Sequence, residues 1–306
     1  MGTPDFAVPV LQAVRALGWP VVGVYTAPDQ LAGRGRQLRQ SPVKEYALAE
    51  GLAVYQPERL RAETDIQELL ALMPDVLVVA AYGKLLPQPV LDAAPKGPVN
   101  VHPSLLPKYR GAAPVAAAVL AGDAVTGVSL MVLDAGMDTG PVLAQREAPI
   151  GPTDTTPELT DRLFILGAEL LRDTLPAYMD GRVTPVPQDE SKVVVTSRLR
   201  KEEGELDWAK PAAALERQVR AYQPWPGSFT TWRGQRLEIL SASVSQRSQT
   251  GSVGQVATLI EAGVPSVITS DGELVLIRVR LEGRRAMDIG EFLKGHPDFT
   301  GARLPS

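Results

Sequence analysis

Asn100 and His102 have the residue types best suited to chemistry, and they stand two apart in the segment Val99-Asn-Val-His102. In a strand, side chains two residues apart point to the same face, so both can meet one substrate atom. An amide donor beside an imidazole, at a strand end followed by a proline-fixed loop, is what a general base with an oxyanion stabiliser would need. A packed imidazole without a chemical role is the alternative for His102.

A carboxylate that orients the imidazole is expected from the segment Asp134-Ala-Gly-Met-Asp138-Thr-Gly140. Asp138 is the preferred candidate, because the flanking glycines let this loop turn a carboxylate inward without steric cost. Asp134 is the local competitor, and an ordinary turn residue is the alternative for Asp138. The residues therefore predict a catalytic group of Asn100, His102 and Asp138.

Composition excludes several other kinds of site. The 306 residues contain no cysteine and only two histidines, which excludes thiolate zinc sites, cysteine nucleophiles and multi-histidine metal sites. Neither G-x-G-x-x-G nor a Walker A sequence is present, so an NAD-type dehydrogenase is disfavoured. The densest apolar run, Val76 to Ala81, is far shorter than the roughly 20 residues of a membrane span. We expect a cytoplasmic protein that binds no metal and no membrane.

The elements that must position these residues follow from an alternating pattern. Short apolar runs alternate with amphipathic stretches of helical length, as in Val21 to Tyr25 followed by Pro42 to Glu50. This alternation predicts an α/β domain with a Rossmann-like, mostly parallel sheet and helices on both faces. Asn100 and His102 then lie at the end of a strand, where open α/β sheets bind ligands.

The first residues raise a separate expectation. Thr3-Pro-Asp5 has the residue types of a helix start, and in an alternating chain a strand should precede that helix. No such strand stands before Gly2. Either an upstream strand completes the sheet and Met1 is an internal start, or the protein does without it; we favour the former.

The composition changes in the last third of the chain. Residues 185–206 are rich in proline and charge and are interpreted as a linker. Short alternating stretches follow, such as Arg236 to Val244 and Glu273 to Val279, and they predict a small β-barrel or sandwich. The predicted division is a catalytic domain at 1–184, the linker at 185–206 and a β domain at 207–306.

Two basic groups could contact an anionic partner. Ala32 to Arg39 contains three arginines and no acidic residue, so this loop is either simply solvated or binds phosphates and base edges. Arg198, Arg200 and Lys201 form the second group, but glutamates follow directly, which keeps a solvated linker equally open.

Together these motifs resemble the methionyl-tRNA formyltransferase family over nearly the whole chain. One motif alone would be moderate evidence, whereas their order and spacing together are strong. Ala116 departs from the pattern, since the family has glutamine there. The motifs are Gly2-Thr-Pro-Asp-Phe-Ala7, Gly33-Arg-Gly-Arg36, Ser41-Pro-Val-Lys44, Asn100-Val-His-Pro-Ser-Leu-Leu-Pro107, Arg110-Gly-Ala-Ala-Pro114, Asp138-Thr-Gly140 and Arg220-Ala-Tyr-Gln-Pro-Trp-Pro-Gly227.

The resemblance implies transfer of the formyl group of 10-formyltetrahydrofolate to the α-amino group of methionine on initiator tRNA, by a monomer. Asn100 would stabilise the oxyanion, His102 would share that task or relay the proton, and Asp138 would orient the imidazole. A C-terminal OB-like barrel would grip the tRNA phosphates. The implied folate-binding residues are Ser104, Leu105, Leu106, Pro107, Tyr82 and Gly83, and the implied tRNA-binding residues are Arg34, Arg36, Arg39, Arg198, Arg200 and Lys201.

Two other functions stay open from the sequence. A related folate-dependent formyltransferase would act on an amine of a nucleotide sugar or a purine precursor, and it would need neither the arginine loop nor the barrel. A tRNA-binding module without turnover would bind tRNA but transfer no formyl group. Formyl transfer to initiator but not elongator tRNA separates both from the function that the resemblance implies.

Overall fold

The computed structural model describes residues 1–32, 37–246, 251–259 and 264–306, and at 31, 32, 37, 258 and 259 it describes the backbone alone. The helices are α1 (Val8–Ala16), α2 (Pro42–Ala49), α3 (Glu63–Ala71), α4 (Gln88–Leu91), α5 (Pro114–Ala121), α6 (Thr156–Met179), α7 (Ala212–Ala221) and α8 (Ile289–Gly295). The strands are β1 (Val24–Tyr25), β2 (Gln30–Ala32), β3 (Gln37–Arg39), β4 (Val54–Tyr55), β5 (Leu77–Val79), β6 (Pro98–His102), β7 (Arg110–Gly111), β8 (Val125–Val132), β9 (Val142–Pro149), β10 (Val195–Thr196), β11 (Ser228–Trp232), β12 (Gln235–Ser245), β13 (Val256–Leu259), β14 (Val264–Ile268), β15 (Glu273–Leu281) and β16 (Met287–Asp288).

The chain divides into two compact units. The first comprises Met1–Pro114, Val125–Pro149 and Thr160–Thr196. The second comprises Val115–Ala124, Ile150–Leu159 and Ser197–Ser306. Asn100, His102 and Asp138 therefore all belong to the first unit.

The first unit has the predicted α/β organisation with a mixed sheet. Strands β1 and β4 pair in parallel, as do β5 and β6, whereas β6, β8 and β9 pair antiparallel in that order. Helix α6 covers this sheet, because Phe164, Leu171 and Leu175 pack with Val99 and Val101 in one buried cluster. The parallel half is the part that the alternating pattern predicted, and the antiparallel half adds β8 and β9 beside the strand that bears His102.

Met1 and Gly2 lie between β1 and β5. The Gly2 amide donates to the Tyr25 carbonyl (3.0 Å), and the Ala80 amide donates to the Met1 carbonyl (2.9 Å). A Cβ on Gly2 would lie 2.8 Å from the Ala80 carbonyl oxygen, which is why glycine is needed there. An apolar cavity of about 460 Å³ adjoins these residues, and its lining includes none of the three predicted catalytic side chains. The strand expected ahead of Gly2 stays a prediction.

The residues interpreted as a linker do not form a separate segment. Strand β10 pairs in parallel with β7, so that Thr196 lies opposite Gly111 in the first unit. Gly111 allows this approach, because a Cβ there would lie 2.2 Å from the Thr196 carbonyl oxygen. The later part of 185–206 belongs to the second unit, where Leu206 is buried in the core. The polar, proline-rich composition of this segment could not reveal this backbone pairing.

The second unit contains the predicted β domain. Its sheet is antiparallel with the order β11-β12-β15-β14-β13, and β16 pairs with β15. Helix α7 contributes Leu215 and Val219 to a core that also contains Leu237, Ile239 and Leu276. The predicted stretches at Arg236 to Val244 and Glu273 to Val279 correspond to β12 and β15, each within two residues of the observed bounds.

Candidate active site

Asn100 and His102 project from the same face of β6. Val99 and Val101 alternate with them and are fully buried under α6, where Gly167 permits the close approach of the Val101 side chain. The side-chain period of two therefore turns Asn100 and His102 to the opposite face. His102 is buried and Asn100 is half-buried. The structure places the two side chains on one face of the strand, as the spacing predicted.

The His102 ring is held by a backbone carbonyl. Its Nε2 lies 3.0 Å from the carbonyl oxygen of Tyr109. A carbonyl can only accept, so Nε2 carries the hydrogen and Nδ1 has the free lone pair in the neutral ring. Burial lowers the pKa of His102, and the opposing effects of Asp138 and the Tyr109 carbonyl do not cancel it. His102 is consequently a neutral base at neutral pH, with Nδ1 as its basic atom.

Asp138 faces that basic atom. Its Oδ2 lies 3.7 Å from His102 Nδ1 and accepts a hydrogen bond from the Gly111 amide (2.8 Å). Asp138 has a left-handed backbone conformation with φ of 54°. A proton taken up at Nδ1 would therefore be placed beside a carboxylate that is already fixed in position.

The geometry differs in one respect from the expectation for Asp138. A separation of 3.7 Å exceeds hydrogen-bond length, so the carboxylate acts on the imidazole through its charge. The bond that orients the ring comes instead from Tyr109, which also has a left-handed backbone (φ 64°). The position of Tyr109 in Lys108-Tyr-Arg-Gly111, two residues before a glycine, was the only signal in the sequence.

Asp134, the competitor of Asp138, has a different place. Its Oδ1 accepts from the Gly136 amide (3.0 Å) and from the Thr139 hydroxyl (2.7 Å). These bonds close the loop that presents Asp138, and Asp134 itself is exposed. The structure thus gives Asp134 the turn-forming role that was the alternative for Asp138.

The segment Ser104 to Pro107, expected to line a folate pocket, is held largely by hydrogen bonds to other residues of the chain. The Leu106 amide donates to the Ser129 hydroxyl (3.0 Å), and the Leu106 carbonyl accepts from Gln145 (2.8 Å). The Ser104 hydroxyl donates to the Lys108 carbonyl (2.6 Å), and Ser104 and Leu106 are buried. The side chains of Leu105 and Pro107 are half-buried and stay within reach of a ligand.

Two residues outside the motifs quoted above hold this segment in place. Ser129 stands opposite His102 in the β6–β8 register, and its hydroxyl donates to the Ser104 carbonyl (2.6 Å). Gln145 on β9 donates both to Leu106 and to the Ser129 hydroxyl. Sequence reasoning missed both, because neither follows a chemical motif and the pairing of β6 with β8 is antiparallel.

Tyr82 and Gly83 follow β5. The Tyr82 side chain lies in a core cluster with Leu60 and Val90, and burial raises its pKa to about 12. Gly83 is exposed. Of the two, only Gly83 therefore has surface available for a ligand, whereas the Tyr82 ring packs in the core next to the end of β5.

The basic residues divide between the two units. Arg39 is exposed on β3 in the first unit, whereas Arg34 and Arg36 lie outside the described residues. Strand β3 pairs antiparallel with β2. Just before β2, Asp29 contacts Lys44 (2.6 Å), which also contacts Gln56 (2.7 Å). In the second unit Arg198, Arg200 and Lys201 are all exposed, and Arg200 pairs with Glu203 (3.0 Å).

Neither a metal site nor a membrane segment is found in the part of the chain that the structure describes. No three His, Asp or Glu side chains cluster there in a way that could hold a metal ion. Among the same residues, no helix combines the length and the apolar character needed to cross a bilayer.

Comparison with known families decides the relationship of the chain. The family described as formyl transferase matches residues 1–175, and its C-terminal domain matches residues 198–297. The chain belongs to the formyl transferase family. This assignment confirms the resemblance and covers both the segment with Asn100, His102 and Asp138 and the second β unit.

Relatives of this formyl transferase share nearly its whole length. A methionyl-tRNA formyltransferase of Chloroflexus aurantiacus is 49% identical over 299 residues, which cover 97% of this chain and 96% of the relative. One from Myxococcus xanthus is 47% identical over 303 residues, covering 99% and 96%. These alignments confirm that the chain is an enzyme of the methionyl-tRNA formyltransferase type rather than a binding module.

Solved structures confirm the formyl transferase fold. The N-formyltransferase of Helicobacter canadensis, solved with folinic acid and dTDP-3-aminofucose, has a TM-score of 0.68 at 17% identity and covers 90% of this chain and 96% of its own. HypX of Aquifex aeolicus in complex with tetrahydrofolic acid has a TM-score of 0.57 at 19% identity, covering 81% and 43%. The predicted α/β unit with a following β unit is therefore confirmed.

Proposed function

We propose that this formyl transferase moves the formyl group of 10-formyltetrahydrofolate to the α-amino group of methionine on initiator tRNA. The observation that carries the proposal is the neutral His102, whose Nδ1 faces Asp138 on the strand that also presents Asn100. The near-full-length similarity to methionyl-tRNA formyltransferases supplies the substrate class.

The reaction needs one group that stabilises the oxyanion and one group that accepts a proton. The amine nitrogen attacks the formyl carbon, and the carbonyl oxygen becomes an oxyanion that the Asn100 amide stabilises. His102 Nδ1 accepts the proton that the attacking nitrogen loses, and the resulting imidazolium faces Asp138 at 3.7 Å. The bond from the formyl carbon to the folate nitrogen then breaks, and the imidazolium returns its proton to that leaving nitrogen.

The folate site is proposed on the surface left by the same elements. Leu105 and Pro107 offer apolar side chains beside β6, and Gly83 offers an open backbone at the end of β5. Folinic acid accompanies the Helicobacter canadensis structure and tetrahydrofolic acid accompanies that of HypX, which supports a folate-type co-substrate. The proposed transfer assigns oxyanion stabilisation and proton movement to side chains, with no metal ion as cofactor.

The tRNA contacts are proposed on exposed basic side chains. Arg39, with Arg34 and Arg36 of the same basic segment of the sequence, would contact the acceptor stem, while Arg198, Arg200 and Lys201 would contact phosphates. A weak first base pair would cost less to open than a strong one, which would select initiator tRNA through deformability. We further propose that the protein acts in the cytoplasm as a monomer.

Formyl transfer from 10-formyltetrahydrofolate to methionine charged on initiator or elongator tRNA tests the proposal. Product on initiator tRNA alone is the expected result. Equal transfer to both tRNAs would contradict the proposed selection, and transfer only to a nucleotide-sugar amine would replace the proposed substrate. Binding of tRNA without any product would contradict enzymatic turnover itself.

A further inference from the structure

Gln188 lies in the segment interpreted as a linker, yet its side chain reaches the loop that presents Asp138. Its amide nitrogen donates to the carbonyl of Asp138 (2.8 Å) and to the carbonyl of Gly140 (2.7 Å). The amide oxygen accepts from Arg110 Nε (3.0 Å). One side chain thus uses both of its N–H groups and its oxygen to connect the Asp138 loop with β7.

The partner of Gln188 is itself fixed. Arg110 is buried and donates from Nη1 (3.2 Å) and Nη2 (2.7 Å) to the two carboxylate oxygens of Glu190. This bidentate pair lowers the pKa of Glu190, so the carboxylate stays charged opposite the guanidinium. Glu190 therefore fixes the Arg110 guanidinium, and the guanidinium in turn fixes the orientation of the Gln188 amide.

The backbone of Asp138 needs such support. A left-handed conformation is disfavoured for a residue with a Cβ, and the surrounding contacts must hold it. Gln188 holds the main chain at Asp138, while the Gly111 amide holds its carboxylate. Gly111 is in turn paired with Thr196. The segment 188–196 consequently holds Asp138 in two ways: Gln188 bonds to its main chain, and Thr196 pairs with the residue whose amide bonds to its carboxylate.

We propose that Gln188 is a positioning residue that keeps the Asp138 carboxylate opposite His102 Nδ1. The inference rests on the proposed function only for its effect on catalysis, since the placement of Asp138 is a property of the free protein. A carboxamide suits this place because it donates twice and accepts once. A glutamate would direct a carboxylate at the two carbonyl oxygens, and methionine would fill the space without any of the three bonds.

The His102 pKa in the free protein is the direct readout, followed by NMR titration of the imidazole. The chain has only two histidines, so the His102 signals can be assigned by their loss in His102→Asn. In Gln188→Met we expect the His102 pKa to fall by about one unit, the change for a carboxylate that moves from 3.7 Å to about 6 Å at an effective dielectric near 20. Gln188→Asn should move it in the same direction and serves if the methionine variant does not fold.

A matched control and a double variant separate positioning from general damage. Gln67→Met removes an exposed amide on α3 and should leave the His102 pKa unchanged. In the transfer assay, Gln188→Met should lower kcat about tenfold with little change in the KM for tRNA. Added to Asp138→Asn, the same substitution should cause almost no further loss, because both act through one carboxylate.

An unchanged His102 pKa in folded Gln188→Met and Gln188→Asn would overturn the inference, as would fully additive losses in the double variant. Absence of formyl transfer in the unsubstituted protein would instead overturn the proposed function. The titration would still decide the role of Gln188 in that case, because it requires no substrate.

Discussion

Replacement of Asp138 by asparagine removes the charge nearest to the proposed base with little change in shape. At 3.7 Å and an effective dielectric near 20, a unit charge contributes about 4.5 kcal/mol, or roughly 3 pKa units. The Gly111 amide already offsets part of that charge, so we expect the His102 pKa to fall by about 1 to 3 units in Asp138→Asn. The charged groups and dipoles that act on the ring are Asp138 and the Tyr109 carbonyl.

The direction follows from the protonated form. Burial already lowers the pKa of His102 below its usual value, and Asp138 is the larger of the two influences that favour the imidazolium, the other being the Tyr109 carbonyl. Without that carboxylate, Nδ1 is a weaker base, and the charged ring formed during transfer loses its partner. The acidic limb of the kcat/KM profile should therefore move to lower pH, while the rate on the plateau falls about 100-fold.

NMR titration of His102 and the pH profile of formyl transfer measure the two effects independently. Asp134→Asn is the matched control: an asparagine Oδ1 can still accept from Gly136 and Thr139, so the loop keeps its hydrogen bonds and both readouts should stay unchanged. A His102 pKa that stays constant or rises in Asp138→Asn would refute the assignment of Asp138. A shifted pKa with a normal rate would support the electrostatic effect of Asp138 on His102 but would exclude His102 as the catalytic base.

The other predictions concern the base, the loop support and the tRNA. His102→Ala should lower turnover by at least 100-fold in single-turnover assays while filter binding of tRNA persists; near-normal turnover would exclude a catalytic imidazole. Gly111→Ala should lower the free energy of unfolding by about 2 kcal/mol or more in thermal melts, since its Cβ would lie 2.2 Å from the Thr196 oxygen. Gly181→Ala, also at a positive φ (75° against 110° for Gly111) but with nothing within 4 Å of the new Cβ, should cost less, and equal costs would argue against the clash. Arg34→Ala should weaken use of initiator tRNA far more than use of folate, whereas equal losses with initiator and elongator tRNA would contradict a discriminating role.

The parts of the fold that were predictable have short-range causes. The spacing of Asn100 and His102 determines their common face, because the side-chain period of a strand depends on local geometry alone. The same reasoning found β12 and β15 to within two residues. The position of β10 was not predictable, because its pairing with β7 joins residues such as Thr196 and Gly111 that are far apart along the chain.

The site was predictable in its chemical groups but not in its supports. Asn100, His102 and Asp138 stand in motifs with recognisable residue types, whereas the Tyr109 carbonyl is a main-chain atom that every residue possesses. The role of Gln188 depends on a contact with the main chain of Asp138, 50 residues away in sequence. Residue type carries no information on such contacts, so they follow only from the folded backbone.

The basicity of His102 Nδ1 depends on the contacts that orient the ring and on the position of the Asp138 carboxylate. If the Asp138 carboxylate hydrogen-bonded directly to Nδ1, the ring would need a proton there and could not accept one from an amine. The Tyr109 carbonyl instead takes the N–H of Nε2, and the separation of 3.7 Å leaves Nδ1 unprotonated but next to a negative charge. Burial keeps the free base neutral, and Asp138 limits the cost of charging it. A base that must both take up and return one proton benefits from that balance, because a strongly stabilised imidazolium would retain its proton.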